Sequence, residues 1–233
     1  MFLQVGIQMS KHIKIGDEEF FQDYLNIESD SLHIKYPRTY HLPYSPGSTN
    51  DDKFLESDEQ FIGKEVVVTL KMDGENCNMT HDKIWARSVD SRDHVSRNWV
   101  QNMWNVMKYD IPEDMRICGE NCYAKHAIYY TELPSFFMCF NIWQNGESLS
   151  WDDTVEMCEL FGIEHVPVLY RGIYDKKIIQ EVATSKETIF GGEREGVVVR
   201  LPGAIKFCDW KASSGKYVRA GHVQPNVGHW FSK

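Results

Sequence analysis

Short apolar runs separated by turn residues constrain the fold of this chain more than any other feature of its sequence. The β-branched run EVVVTL at residues 65–70 predicts a buried strand. Four further short runs, bounded by Gly, Pro or polar residues, also predict strands: RICGEN (116–121), FFMCFNIW (136–143), EHVPVLY (164–170) and GVVVR (196–200). Because no strand–helix unit repeats along the chain, we expect an α+β fold with mostly antiparallel sheets.

Three segments are expected to be helical. Residues 96–107 place large apolar side chains four positions apart, which predicts an amphipathic helix with Ser96 as its cap. Aromatic residues at this spacing form a core more often than a stacking surface, and we expect a core role here. A second helix is expected at 150–162, opened by Ser150 with an acidic residue three positions later in a capping box, and a third near 174–186.

Two segments precede the first strand. Residues 1–34 mix charged residues with Phe and Tyr, and we expect an N-terminal accessory segment with a short helix. Residues 35–53 contain three prolines with Gly, Ser and Asn, which favours a long ordered loop or a linker. Because this stretch is also rich in Tyr, Arg and His, a role in lining a substrate groove stays open. The main domain is expected to span residues 35–233.

The composition excludes several classes of protein. Hydrophobic residues make up 42% of the 233 residues, which indicates a folded globular protein. No stretch approaches the roughly 20 apolar residues of a membrane-spanning helix, so we expect no membrane role. Six irregularly spaced cysteines without a secretory signal predict a reducing, cytoplasmic environment. A net charge of −9 argues against a protein that coats nucleic acid indiscriminately, so any nucleic-acid site must be local.

The clearest chemical signal is KMDGEN at residues 71–76, directly after the first predicted strand. Burial at a strand end can desolvate Lys71 enough to remove its proton, and nearby cations would lower its pKa further, which makes the amine a nucleophile. Gly74 would let a large group approach the backbone. The four-residue pattern Lys-x-Asp-Gly is short, however, and a surface lysine in a turn would show it too.

Further motifs follow Lys71 in a fixed order: ARS (86–88), CGEN (118–121), MCFNIW (138–143) and EGVVVR (195–200). With KMDGEN, this ordered set resembles the covalent nucleotidyltransferase superfamily of polynucleotide ligases and capping enzymes, and most closely the ATP-dependent RNA ligases. The resemblance covers roughly residues 35–230. It implies a nucleotidyltransferase domain, an ATP-grasp-like adenylation domain of mostly antiparallel sheets with flanking helices.

The first motif of this family, by resemblance, makes Lys71 the nucleophile that attacks the α-phosphate of ATP and holds AMP as a phosphoramidate. Asp73 and Gly74 complete the motif and are expected at the nucleotide. Asn76 corresponds to an asparagine that RNA ligases of this kind use near the reacting phosphate.

The later motifs assign further roles by the same resemblance. Arg87 would reach the ribose and phosphate side of the nucleotide, with Arg92 as a weaker alternative. Glu120 would accept hydrogen bonds from the ribose hydroxyls, and Phe140 would stack on the purine, although outside this context they would be a strand-end acid and a core aromatic. Glu195 would act on the divalent metal, commonly through water, which suits the preference of Mg²⁺ for hard oxygen ligands.

Two positions depart from the pattern of the family. The last motif normally presents two lysines separated by one residue; here Lys216 lies at the best distance after the metal-linked glutamate, with Arg219 as a second cation and Lys206 or Lys211 as rivals. Leu70 stands where many relatives have a glutamate that reads the adenine amino group. The preference for ATP is therefore left to other contacts, such as backbone carbonyls.

The resemblance implies an ATP-dependent RNA ligase that uses Mg²⁺ or Mn²⁺, adenylates a 5′-phosphate RNA end and seals it to a 3′-hydroxyl. Only 17 residues follow Lys216, so we expect no oligonucleotide-binding barrel of the kind that capping enzymes and most DNA ligases carry there, although an accessory protein could supply RNA binding. The alternatives are a GTP-using capping guanylyltransferase, a DNA ligase and a non-catalytic RNA-end-binding domain. His222 and His229 match no recognised metal-ligand spacing, so we expect a contact surface there.

Overall fold

The computed structural model describes residues 32–47 and 51–222. Its strands are β1 (Glu65–Lys71), β2 (Glu75–Met79), β3 (Ile84–Ala86), β4 (Met115–Asn121), β5 (Phe137–Gln144), β6 (Glu147–Ser148), β7 (Glu164–His165), β8 (Val168–Ile173), β9 (Gly196–Arg200), β10 (Ile205–Lys206) and β11 (Ser214–Val218). Its α-helices are α1 (Asn98–Met107), α2 (Trp151–Phe161), α3 (Lys176–Thr184) and α4 (Trp210–Ser213). Short 3₁₀ turns lie at Glu59–Phe61, Val95–Arg97 and Phe207–Asp209.

The smaller sheet has four antiparallel strands in the order β11-β9-β1-β8. The valines of EVVVTL, Val66, Val67 and Val68, are fully buried, because β1 has a strand on each side and packing on both faces. This confirms the buried strand predicted at 65–70. The register places Lys71 of β1 opposite Gly196 of β9, so the residue before Gly196 comes next to the lysine.

The larger sheet has the order β10-β6-β5-β4-β2-β3, and β7 pairs with β5 in parallel. The sheets are thus mostly antiparallel, and the α+β prediction is confirmed. Gly119 stands where β4 is irregular against β5, and a Cβ there would lie 2.4 Å from the ring of Phe137. Only glycine allows the ring to pack this closely against the strand.

The single strand predicted at 164–170 is wrong, since the chain changes sheets within it. Glu164–His165 pair with β5 of the larger sheet, whereas Val168–Ile173 pair with β1 of the smaller sheet. Pro167 separates them because it has no backbone N–H to donate to a ladder. Its carbonyl accepts a hydrogen bond from the backbone N–H of Leu70 at 2.9 Å, so the crossing point is tied to β1.

The helices predicted at 96–107, at 150–162 and near 174–186 are present, but one cap differs. Ser150 caps α2 and accepts a hydrogen bond from the backbone N–H of Asp153, as expected. The predicted cap Ser96 is wrong: it lies inside the 3₁₀ turn that precedes α1, and its own N–H donates to the ring of His94. The apolar face of α1 packs into the core against the larger sheet, as predicted.

The loop expected at residues 35–53 is ordered where it is described, and it runs along the edge of the smaller sheet. His41 forms isolated β-bridges with both Phe54 and Lys216 of β11. The backbone N–H of Leu42 donates to the Lys216 carbonyl at 2.8 Å. The helix expected within residues 1–34 falls almost entirely outside the described residues.

All six cysteines are free thiols, and five of them are buried. Cys208, in the 3₁₀ turn before α4, is the one that is partly accessible. Among the described helices, none combines the length and the apolar character needed to cross a bilayer.

Candidate active site

A cavity of about 440 Å³ lies where the two sheets meet. Both sheets and the loop at residues 36–39 and 51–53 contribute to its wall. Its charged and amide side chains come from Arg38, Asp51, Asp52, Lys53, Lys71, Asn76, Arg87, Glu120, Arg200 and Lys216. Its aromatic and aliphatic side chains come from Tyr36, Pro37, Leu70, Met72, Phe140, Val166, Val198 and Trp210. The cavity therefore combines apolar side chains with cationic and acidic ones.

Lys71 lies at the end of β1, where the smaller sheet meets the cavity. Its Nζ donates a hydrogen bond to Glu195 Oε1 at 2.6 Å, and Glu195 is 7% exposed. Burial alone lowers the pKa of Lys71, but the carboxylates of Glu195, Glu120 and Asp73 together raise it above its ordinary value. The expectation of an amine with a lowered pKa is wrong for this state of the protein, because three carboxylates outweigh the desolvation. The Lys71 side chain is therefore a cation in this state of the protein.

Asp73 and Gly74 form the turn that carries the chain from the smaller sheet into the larger one. Asp73 Oδ2 accepts a hydrogen bond from the N–H of Ile128 at 2.6 Å, and the N–H of Asp73 donates to Tyr130 Oη at 3.0 Å. A Cβ at Gly74 would lie 2.6 Å from the Asn121 carbonyl oxygen, so glycine is needed for this close approach. Asp73 therefore faces the β4–β5 connection rather than the cavity.

Glu120 lies near the end of β4 and accepts a hydrogen bond from the N–H of Gly74 at 3.1 Å. Burial raises its pKa to about 8, although the positive charge of Lys71 opposes that rise. The register pairs Glu120 with Asn76 of β2, and both side chains line the cavity. Glu120 thus lines the same cavity as Lys71, and its contact with ribose hydroxyls stays a prediction.

Replacing Glu120 with glutamine is expected to stabilise the nucleotide-free protein at alkaline pH. Because the folded-state pKa of Glu120 lies above its unfolded value, the wild-type protein loses stability as the pH rises from about 5 to about 8, whereas the variant keeps it. We expect the variant to gain about 1–3 kcal/mol over wild type at pH 8.5 and clearly less at pH 5.5. Urea unfolding in the presence of a chelator at both values measures this; a difference independent of pH would contradict it.

Lys216 of β11 is held at the cavity by a network that the sequence did not reveal. Its Nζ donates to Asp52 Oδ1 at 3.1 Å, and the buried His41 ring places Nε2 3.0 Å from the same oxygen. Burial lowers the pKa of Lys216, and Asp52 partly offsets this effect. His41 is fixed from its other side by Ser45 Oγ at 2.8 Å.

The other cations considered for this position lie elsewhere. Arg219 donates through Nε to the Arg194 carbonyl at 2.5 Å and pairs with the exposed Glu193, and it does not line the cavity. Lys211 lies over the ring of Tyr40, 4.9 Å from its centroid. Of the candidates for the last motif, the structure brings Lys216 alone to the described wall of the cavity, without Arg219, Lys206 or Lys211.

Phe140 and Arg87 both reach the cavity. Phe140 packs edge-to-face against Tyr36 with centroids 5.2 Å apart and lines the cavity. Arg87 lines the cavity, whereas its rival Arg92 is outside the described lining and offers its carbonyl to Arg97. Arg200 was missed by the sequence analysis: it is 2% exposed, burial lowers its pKa to about 10, and it donates to the Leu149 carbonyl at 2.9 Å.

His222 joins the acidic side of the site, contrary to the contact surface expected there. Ligand atoms of Asp73, Glu195 and His222 all lie within 4.8 Å of one another, and the imidazole Nε2 is 3.5 Å from Glu195 Oε1. Glu195 Oε2 and His222 Nδ1 are buried and have no hydrogen-bond partner among the described residues. Two carboxylates and an imidazole with unused lone pairs suit a divalent cation. His229 lies outside the described residues.

The sequence model of the RNA ligase family matches residues 64–218. A search of curated proteins gives no significant match. Among solved structures, the chain is similar to an apo mutant of Naegleria gruberi RNA ligase, with 14% identity, a TM-score of 0.55, and coverage of 80% of this chain and 56% of that chain. Mutants of the same enzyme with ATP and Mn (17%, 0.55) and with AMP and Mn (16%, 0.51) match over the same shares. The likeness shows the fold, and this chain spans just over half the length of the chains it matches.

Proposed function

Because this chain belongs to the RNA ligase family, we propose that it is an ATP-dependent RNA ligase that forms a covalent bond between Lys71 and AMP. The observation that carries the proposal is the position of the Lys71 amine, at the wall of a nucleotide-sized cavity and 2.6 Å from a buried carboxylate oxygen of Glu195. A lysine so placed serves no evident purpose in packing, whereas covalent catalysis requires it.

The cavity offers groups for both ends of a nucleotide. Phe140, with Val166 and Val198, offers an apolar surface for the base, and Glu120 offers a carboxylate for ribose hydroxyls. Lys216 and Arg87 contribute positive charge for the phosphates. A volume of about 440 Å³ is within the range of small-molecule sites.

In the first step, the lone pair of Lys71 Nζ forms a bond to the α-phosphorus while the bond to pyrophosphate breaks. The ammonium must lose a proton before this attack, and Glu195 Oε1 is the acceptor in hydrogen-bond contact with it. Charge on the departing pyrophosphate is matched by Lys216, which Asp52 and His41 hold in place.

Asp73, Glu195 and His222 are the residues that would hold the divalent cation, Mg²⁺ or Mn²⁺. When bound, the cation supplies charge neutralisation and polarises the phosphate. The carboxylates of Glu195 and Asp73, which raise the pKa of Lys71, are also groups that would contact the cation, so a bound cation would weaken their effect on the amine. Asp73 and Glu195 thus help to keep the Lys71 amine protonated in the nucleotide-free protein.

In the second step AMP moves from Lys71 to a 5′-phosphate of RNA, and the lysine amine regains its proton. In the third step a 3′-hydroxyl attacks that phosphate, the phosphodiester bond forms, and AMP leaves. Both steps are displacements at phosphorus, in which positioning and cationic groups dominate. The same Lys216 and Arg87 side chains therefore act in all three steps.

Intact mass of the full chain after incubation with ATP or GTP and with Mg²⁺ or Mn²⁺ tests the proposal. We expect an AMP-sized gain with ATP, followed by its loss and the joining of labelled strands when RNA with 5′-phosphate and 3′-hydroxyl ends is added. A GMP-sized gain would favour a capping enzyme, and joining of DNA but not RNA would favour a DNA ligase. No gain with either nucleotide would leave a binding domain without chemistry.

A further inference from the structure

A second concave surface lies beside the active site, on the connection between β4 and β5. It encloses about 430 Å³ and is lined by Tyr123, Lys125, Tyr129, Phe136 and Asp73, among others. We call these five residues the aromatic recess. Because Asp73 stands two positions from Lys71 and borders the recess, the recess lies beside the turn that follows Lys71.

The connection that carries the recess is long, but it is fixed at several points. The N–H of Ile128 donates to Asp73, and the Tyr130 hydroxyl accepts from the Asp73 N–H. The N–H groups of Thr131 and Glu132 both donate to the Phe190 carbonyl at 3.0 Å. Long loops that a rigid scaffold holds in place often carry binding sites. This connection is such a loop, because the turn at Asp73 holds it.

Three large rings of the recess face solvent: Tyr123 is 42% exposed, Tyr129 64% and Phe136 38%. Tyr123 contacts Phe136 edge-to-face, at 5.3 Å and 90°, so this contact covers one face of only one of the two rings. Lys125 Nζ lies 5.5 Å from the centroid of the Tyr129 ring and adds a positive charge. Exposed ring faces beside a lysine are the elements with which proteins bind single-stranded nucleic acid.

We propose that the aromatic recess binds the unpaired nucleotides next to the reacting RNA end, with bases stacked on Tyr123 and Tyr129 and a phosphate against Lys125. The inference rests on the proposed function, because it names where the substrate of that reaction lies. The recess borders Asp73, which follows Lys71 closely along the chain. This position favours an RNA strand over a protein partner, because the RNA end must come within bonding distance of the AMP on Lys71. The net charge of −9 requires that such a contact be local, and the recess is local.

The first test is binding of a fluorescent 5′-phosphate RNA 12-mer to the full chain, measured by anisotropy without ATP. Replacing both Tyr123 and Tyr129 with alanine is expected to weaken binding by about 10-fold to 100-fold, because two stacked bases are lost. The matched control is Tyr109→Ala: Tyr109 follows α1, is 85% exposed and lies under Lys108 at 5.2 Å, so it has the same chemistry at a different place. The control is expected to bind as wild type does.

The salt dependence of RNA binding in a Lys125 variant gives a second, independent test. Lys125→Gln is expected to reduce the slope of log affinity against log salt by roughly one, because one phosphate contact is removed. Lys108→Gln should leave the slope unchanged. In unaltered protein, RNA with 5-iodouridine near its 5′ end is expected to cross-link to the peptide that contains residues 123–129, so a variant that fails to fold does not decide the result.

The outcomes separate this inference from the proposed function. If wild type gains AMP, and the double variant gains AMP equally but binds RNA more weakly, the inference holds. Equal RNA affinity of the double variant and wild type, or cross-links that map elsewhere, would overturn it. Failure of wild type to gain AMP would overturn the proposed function, while the binding and cross-linking results would still report on the recess.

Discussion

Replacing Lys71 with arginine is expected to abolish the covalent AMP adduct, with a loss of more than roughly 10⁴-fold in the rate of its formation. A guanidinium stays protonated at any accessible pH and offers no lone pair to phosphorus. It keeps the positive charge that pairs with the buried Glu195, so the fold around the site should persist. The adduct is measured by intact mass and by transfer of label from α-labelled ATP.

A pre-adenylated RNA strand provides the control for this variant. Sealing such a strand requires a 3′-hydroxyl to displace AMP and no attack by the lysine, so Lys71→Arg is expected to retain measurable sealing of it. An unchanged adduct in the variant would place the nucleophile on another residue. Loss of both reactions together with a lower melting temperature would point to damage of the fold.

Replacing Glu195 with glutamine is expected to slow formation of the adduct by about 10²-fold to 10³-fold. Glutamine keeps the shape of the side chain but loses the charge that orients the Lys71 ammonium at 2.6 Å. It also removes one of the two carboxylates from the group formed with Asp73 and His222, so half-maximal rates should require more Mg²⁺. Rates measured across a range of Mg²⁺ concentrations check both effects.

Glu193 is the matched control for this substitution. It lies two residues earlier in the same segment, but its carboxylate is exposed and pairs with Arg219 outside the cavity. Glu193→Gln is expected to form the adduct at the wild-type rate and with the wild-type dependence on Mg²⁺. Comparable slowing in both variants would assign the effect to the conformation of the segment rather than to the Glu195 carboxylate.

The strands of this fold were largely predictable because each apolar run is short and ends at a turn residue. The β-branched stretch at 65–70 and the run at 196–200 form adjacent strands, with the bounds expected to within a residue. The change of sheet at Pro167 was not predictable, because a period-two pattern reports which residues are buried and not which partner strand they pair with.

The lining of the cavity was predictable where its residues belong to the ordered motifs. Lys71, Glu120 and Lys216 all line one cavity, as their order along the chain suggested. Asp52 was missed and His222 was assigned to a contact surface because their partners are distant in sequence, and no local spacing marks either residue. The direction of the Lys71 pKa also depends on three carboxylates that only the folded chain brings together.

The distribution of thiols would allow a probe to be attached to the protein at a single cysteine. Burial raises the pKa of Cys77, Cys118, Cys122 and Cys139, so these thiols are both covered and protonated. Cys208 is partly accessible and stands two positions before Trp210, a residue of the cavity wall. A maleimide dye should therefore attach there without any engineered substitution, close enough to the cavity for its emission to report nucleotide occupancy in real time.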